Sequence, residues 1–237
     1  MAEERTTRYR EDDIVCAGVA GVDLEIPSAN PRNQHDVIAG DAGPAVVVDG
    51  KLFVPPADGP LPAVIVVPDA TRRVNLPAVL PVLMDRISAP SPGCRLCLVI
   101  ACGTHPAPAE DELAELLGPL PEEVEVCIHD SRDESGLVPV GEITPGRALR
   151  LHRSVAEAEL LITVGAVKHH YFAGFGGGPK MIFPGCAGYD EIQVNHSLVL
   201  SREGGALHRH PGCEPGLLEG NPVAAEIARA ADLRPPD

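Results

Sequence analysis

Ala63-Val-Ile-Val-Val-Pro-Asp69-Ala-Thr-Arg72 and the following Leu76-Pro-Ala-Val-Leu-Pro-Val-Leu-Met-Asp-Arg-Ile87 decide the fold. Five consecutive apolar residues from Ala63 to Val67 fit a strand covered on both faces, because a strand with one wet face would alternate. The segment after it carries apolar residues at helical spacing. The same pair of signals then recurs. Leu96–Ala101 reads as a strand, Ala109–Leu117 as a helix closed by Gly118-Pro119, and Val124–Ile128 as a strand. A short helix near Val155–Ala158, with Ser154 placed as its cap, leads to a strand at Leu160–Val164. Alternating strands and helices imply βαβ units, hence an α/β fold of three layers with a mostly parallel sheet and helices on both faces.

The first sixty residues differ. They are rich in Pro, Gly and Asp, and Ala45–Val54 reads as a β-hairpin around Asp49-Gly50. They are expected to form a β-rich extension (1–60) of a single α/β domain spanning residues 1–237. Near the other end, Asn221-Pro222 opens a helix with a good cap and proline at its first position.

Composition narrows the partners. The 237 residues carry a formal charge of −15, with 44% hydrophobic and 22% charged residues. That charge argues against nucleic acid as the main partner, which would need a basic face. No apolar run approaches a membrane span, and the N-terminus has no secretory pattern, so a cytoplasmic protein is expected. Seven cysteines, an odd number, suit reduced, buried thiols better than a disulfide framework. Cys94-x-x-Cys97 leads into a strand and has no second pair, so it reads as structural.

The chemistry gathers after the strands. Asp69-Ala-Thr71-Arg72 follows the first, Gly103-Thr-His105 the second, His129-Asp130 the third and Lys168-His-His170 the fourth. In parallel strands these groups meet at one carboxyl edge, where open α/β sheets bind ligands. The last group opens the densest run in the chain, Lys168-His-His-Tyr-Phe-Ala-Gly-Phe-Gly-Gly-Gly-Pro-Lys180, with Pro184-Gly185 and Asn195-His196 beyond it. A Walker A loop needs glycine before the lysine, and a dinucleotide fingerprint needs glycine or alanine at 179; Pro179 defeats both. No His-Glu-x-x-His or Gly-x-Ser-x-Gly occurs.

Taken in order and spacing, Asp69-x-x-Arg72, Gly103-Thr-His105, His170-Tyr-Phe-Ala-Gly-Phe-Gly-Gly-Gly-Pro-Lys180, Pro184-Gly185 and His196 resemble the signature of the nickel-dependent lactate racemase family, over about Ala63 to Ile227. The resemblance implies a nickel pincer nucleotide: nickel held through sulfur, carbon and sulfur by a pyridinium-3,5-bisthiocarboxylic acid mononucleotide. Lys180 matches the lysine that tethers one arm, and His196 the histidine that ligates nickel. His105 and His170 match the pair that exchange the substrate hydroxyl proton. Arg72 matches the arginine near the substrate carboxylate, with Asp69 beside it and Thr71 toward the cofactor. Gly176, Gly177 and Gly178 would bring backbone N–H groups to the cofactor phosphate. The implied activity is racemisation or epimerisation of a small 2-hydroxy acid. Pro179 stands where lactate enzymes tend to carry a basic residue, which points to a related acid. The sequence ends where the family's hinge begins, so its C-terminal domain is expected to be absent, and a separate chain supplying it is an implied partner.

Plainer readings stand beside these. Asp69 is also placed to cap the following helix, and Arg72 would then be an unfavourable charge at a helix start. Without the resemblance, His196 is equally a polar residue of Gln193-Val-Asn-His196. His169 lacks the family spacing and reads as pocket lining, His129-Asp130 as structural, and His208-Arg-His210 as an exposed loop. The competing functions are a non-catalytic carrier of the nickel nucleotide and half of a split enzyme. A zinc hydrolase built on His170 and His196 would lack an acidic third ligand.

Overall fold

The computed structural model describes residues 46–48, 51–53, 62–72, 74–88 and 94–237. Most of the expected N-terminal extension lies outside the described residues, as do Asp49 and Gly50. On either side of them β1 (Val46–Val48) and β2 (Lys51–Phe53) pair antiparallel, with Val48 opposite Lys51. The order continues with β3 (Pro62–Pro68), α1 (Leu76–Ser88), β4 (Arg95–Ala101), α2 (Glu110–Leu117) and β5 (Glu125–Ile128). Next come β6 (Leu137–Thr144), β7 (Arg147–His152), α3 (Arg153–Ala156) and β8 (Leu160–Thr163). The remainder comprises β9 (His169–His170), β10 (Gly174–Phe175), α4 (Tyr189–Ser197), β11 (Leu200–Glu203), β12 (Ala206–Arg209) and α5 (Pro222–Ala231).

The fold is mixed α/β around a four-stranded sheet of order β5-β4-β3-β8, parallel throughout. Its residues divide by parity, as a period of two requires. Ala63, Ile65, Val67, Leu96, Leu98 and Ile100 join a cluster with Leu76, Leu80, Leu83 and Ile87 of α1 and Leu116 and Leu117 of α2. Those α1 positions recur at helical spacing and give it one apolar stripe. Val64, Val66, Cys97 and Val99 face the other way, onto Leu149, Leu151, Val155, Phe183, Ile192, Val223 and Ile227. That second layer is not purely helical, because the β6–β7 hairpin shares it with α3, α4 and α5.

Two further differences concern local signals. Helix α3 starts at Arg153 with His152 as its cap residue, so Ser154 lies inside its first turn. The cap oxygen expected of Ser154 is not needed there, because the segment leaves β7 directly. The segment His208-Arg-His210 is not a loop: His208 and Arg209 lie on β12, which pairs with β11 across Gly204-Gly205. Both glycines have positive φ (57° and 87°), the backbone that tight hairpin turns demand. Other readings hold. Asn221 accepts the Ala224 N–H at 3.1 Å as the α5 cap, and Gly118 closes α2 at φ 69°.

Charged pairs bind the second layer together. Arg147 on β7 clamps Glu226 of α5 with two bonds of 2.7 and 3.0 Å. Arg150 clamps Glu191 of α4 with bonds of 2.6 and 3.0 Å. Both carboxylates are buried, where an unpaired charge would cost several kcal/mol. Asn195, fully buried on α4, donates to the Val223 carbonyl and to Glu226. These contacts fix α4 against α5 and so fix the orientation of its next residue, His196.

His129 is buried after β5 and bonds the Ala187 carbonyl through Nε2 at 2.9 Å. Burial holds its pKa down to about 4, aided by the repulsion of His152. The unfolded chain, with an ordinary histidine pKa, therefore binds more protons between about pH 6.5 and 4. Stability from neutral His129 should be fully present above that window and lost as pH falls through it. Urea midpoints measured from pH 7 to 4.5 should decline, and His129→Gln should flatten the decline; a wild-type midpoint independent of pH there would contradict the burial argument.

Candidate functional site

The strand order sets the place of the site. From β3 the chain moves to β4 and β5 on one side, and then returns to β8 on the other. Loops leaving β3, β4 and β8 therefore open around one crevice at the carboxyl ends, the arrangement in which open α/β sheets bind ligands.

Asp69 follows β3 directly and is 4% exposed. It does not cap α1, which begins at Leu76. Its Oδ2 lies 2.5 Å from Nδ1 of His105. Its Oδ1 accepts the Thr71 backbone N–H at 2.8 Å and the Thr71 hydroxyl at 2.5 Å. Both carboxylate oxygens are thus spent on neighbours, and Thr71 secures Asp69. His105 itself comes from the turn after β4, where Gly103 takes φ 55° and donates its N–H to the Gly185 carbonyl at 2.9 Å. That bond docks the His105 turn on the segment that carries Lys180. A Cβ at Gly185 would lie 2.4 Å from the Met181 carbonyl oxygen, so only glycine fits.

The chain after β8 folds back on itself through β9 and β10, pairing His170 with Gly174 and His169 with Phe175. Neighbouring strand residues point to opposite faces. His170 accordingly turns inward, 8% exposed, while His169 is exposed against Phe175 at 5.4 Å between ring centroids. Of the glycines, Gly177 has φ 71°, and a Cβ there would stand 2.6 Å from the Ala166 carbonyl oxygen. Gly178 has φ 53°. Packing of the loop on its own backbone thus already requires Gly177, whereas Gly176 has ordinary space around it.

Phe172 is the residue that the sequence reading missed. Its ring meets His170 edge-on at 4.6 Å and His196 at 5.3 Å, and Lys180 Nζ lies 5.8 Å from its centroid. An apolar floor in the middle of a histidine- and glycine-rich run leaves little trace in motif reading. Its signal is a large apolar residue inside a loop that should be polar. Tyr171 stacks on the other side of His170 at 4.8 Å and is 71% exposed, forming a rim.

Charge confirms the assembly. His170 is held down to about pKa 4, chiefly by burial and then by Lys180, Arg72 and His196. Lys180 is lowered to about 8 by burial and by Arg72. His196 is lowered by burial, then by Lys180 and His105. Arg72, His105, His170, Lys180 and His196 thus stand near one another at this edge of the sheet. An anion placed among them gains from every member. At pH 8 about half of Lys180 is the neutral, nucleophilic amine. Among the described residues, no group of three or more His, Cys, Asp or Glu is placed to hold a metal ion.

Outside this set, buried His129 neighbours half-buried His152 at 5.8 Å between ring centroids, and no disulfide joins the described cysteines. Cys97 approaches Cys127 of β5, at 3.4 Å between sulfurs, and the Cys94-x-x-Cys97 spacing forms no site with it. No described helix is long and apolar enough to cross a membrane.

The comparisons agree with this geometry. Residues 60–207 match the family model described as the lactate racemase N-terminal domain. The chain is 32% identical over 169 residues to lactate racemase of Lactiplantibacillus plantarum, covering 71% of this chain and 38% of that protein. It is also 32% identical over 176 residues to lactate racemase of Thermoanaerobacterium thermosaccharolyticum, covering 74% and 40%. The lactate racemase apoprotein structure from that organism superposes with a TM-score of 0.66 at 31% identity, over 73% of this chain and 40% of that one. A Thermotoga maritima protein of 21% identity shares the fold at a TM-score of 0.56, over 74% and 44%. The chain thus spans about two-fifths of the length of the lactate racemases it matches. By that match it belongs to the lactate racemase N-terminal domain family.

Proposed function

We propose that this site binds a nickel pincer nucleotide and serves the racemisation or epimerisation of a small 2-hydroxy acid. The observation that carries the reading is the half-buried amine of Lys180, its pKa lowered, near the half-buried imidazole of His196. A covalent tether needs a lysine that is neutral near physiological pH. A metal carried by its own organic ligand needs one further donor from the protein rather than a cage. Lys180 and His196 are that pair, and their donor set fits the group. Nickel bound there would accept an imidazole nitrogen from His196.

When bound, the group supplies a reversible acceptor for the hydride of the substrate carbon, which avoids a carbanion. This chain's own residues do the rest. Arg72, exposed at the mouth, is placed to hold the substrate carboxylate, for which its planar fork is suited. His105 and His170 handle the hydroxyl proton. Such general base catalysis contributes roughly a hundred- to ten-thousand-fold. Asp69 acts through His105, and Thr71 acts by holding Asp69. The Gly176 N–H is spent on the Lys168 carbonyl at 2.7 Å, so of the three expected glycines only Gly177 and Gly178 are left to offer N–H groups to the nucleotide phosphate. Turnover also draws on the surface that completes the cleft, in the same polypeptide or in a separate one.

The reading has two direct checks. Acylation of Lys180, followed by peptide mass analysis across pH 6 to 10, should rise with a midpoint near 8, well below that of a solvated lysine. A midpoint above 10 would remove the case for a tether. Protein isolated from cells that make the cofactor should carry nickel and a mass adduct on Lys180, and Lys180→Ala should lose the adduct. Racemisation of 2-hydroxy acids by that material supports the enzyme. An adduct without racemisation, even with a completed cleft, supports a carrier, and absence of both nickel and adduct contradicts the proposal.

A further inference from the structure

By spacing, Cys97 belongs with Cys94, but the sheet pairs it with Cys127. Strands β4 and β5 run parallel, with Cys97 opposite Glu125 and Val99 opposite Cys127. These side chains share one face of the sheet. The two thiols meet across it on a diagonal, with their sulfurs 3.4 Å apart. Cys97 donates its S–H to Cys127, and Cys127 in its protonated form donates to Glu125 Oε1 at 3.5 Å. The partners differ in access. Cys97 is 7% exposed on a strand held from both sides, whereas Cys127 is half-buried on β5, an outer strand of the sheet.

Their acidities differ too. Of the six described cysteines, burial raises the pKa of Cys94, Cys102, Cys186 and Cys213. Cys97 is raised chiefly by its bond to Cys127 and then by burial. The same bond lowers Cys127, against burial and Glu125, because the Cys97 proton stabilises a thiolate there. The Ser154 hydroxyl favours that thiolate as well. An accessible, nucleophilic sulfur thus stands beside a sheltered, protonated one, and disulfide formation needs that division of roles.

We propose that Cys127 and Cys97 form a reversible dithiol–disulfide site oxidised by a hydroperoxide, with Cys127 as the attacking sulfur and Cys97 as the resolving one. The Cys127 thiolate attacks a peroxide oxygen, so an S–O bond forms and the O–O bond breaks. The departing oxygen takes the proton that Cys127 gave up and leaves as water or an alcohol. Cys97 sulfur then attacks Cys127 sulfur. The S–S bond forms, the S–O bond breaks, and the leaving hydroxide takes the Cys97 proton to become water. The two thiols lose two electrons in all, and the peroxide gains them. Closure brings the sulfurs from 3.4 Å to about 2.05 Å. Strand β4 is fixed between β5 and β3, so the movement falls to β5, which is hydrogen-bonded to a strand on one side only. Reduction by a thiol runs the exchange backwards.

The test uses the full chain, reduced, freed of reductant and treated with one equivalent of hydrogen peroxide. Cleavage at glutamates without reduction, followed by peptide mass analysis, should give a Cys97–Cys127 link lacking two hydrogens, located by fragmentation. Dithiothreitol should remove it. Before oxidation, iodoacetamide at pH 7 should label Cys127 at least about tenfold faster than Cys97 or Cys94. In Cys97→Ala, dimedone should trap a sulfenic acid at Cys127, and Cys127→Ala should leave Cys97 unoxidised, with both folds checked by circular dichroism. The wild-type peptide map decides the matter even where a variant fails to fold. Links between other cysteines in place of this one would overturn the proposal. So would Cys127 carried to sulfinic acid with no disulfide, or thiols left unreacted by the peroxide.

Discussion

Burial of basic groups around the ring of Phe172, reinforced by their mutual repulsion, is the constraint from which the site's chemistry follows. Arg72, His170, Lys180 and His196 stand within reach of one another's charge in a protein whose total is −15. Keeping all of them charged is costly, and the fold avoids that by holding His170 neutral and Lys180 near its midpoint. Lowering Lys180 from 10.5 to about 8 costs its charged form about 3 kcal/mol. Burial, with the charge of Arg72, lowers the Lys180 amine, and the gathered positive charge makes the cleft receptive to anions.

The remainder of the structure reads as what is needed to hold such a site. Parallel β3, β4 and β8 deliver their loops to one edge. The Gly103–Gly185 backbone bond ties the His105 turn to the Lys180 segment, and glycine at 185 allows the chain to pass the Met181 carbonyl. On the far side, the Arg147–Glu226 and Arg150–Glu191 pairs and buried Asn195 lock α4, and with it His196. Each fastening joins elements far apart in sequence, so the basic groups cannot relax away from each other by local rearrangement.

How much of this was legible in sequence depends on the kind of signal. The parallel strands were legible because a continuous apolar run as short as Ala63–Val67 fits a strand covered on both faces and little else. The convergence of Asp69, His105 and His170 follows from strand direction alone. The β6–β7 hairpin was missed because Pro139, Gly141 and Pro145-Gly146 interrupt its alternation, and its inward residues Ile143, Leu149 and Leu151 find their partners only in the folded sheet. Phe172 was hidden among chemically louder neighbours. Asp69 looked like a helix cap because its true partner, His105, is thirty-six residues away.

The central claim is that His196 completes the coordination of a nickel ion whose other ligands arrive with a nucleotide tethered at Lys180. X-ray absorption at the nickel edge of the loaded protein tests it most directly. The account predicts a sulfur-dominated shell with one imidazole, and loss of the imidazole contribution in His196→Ala while sulfur remains. A shell of nitrogen and oxygen alone, or a spectrum unchanged by His196→Ala, would contradict it.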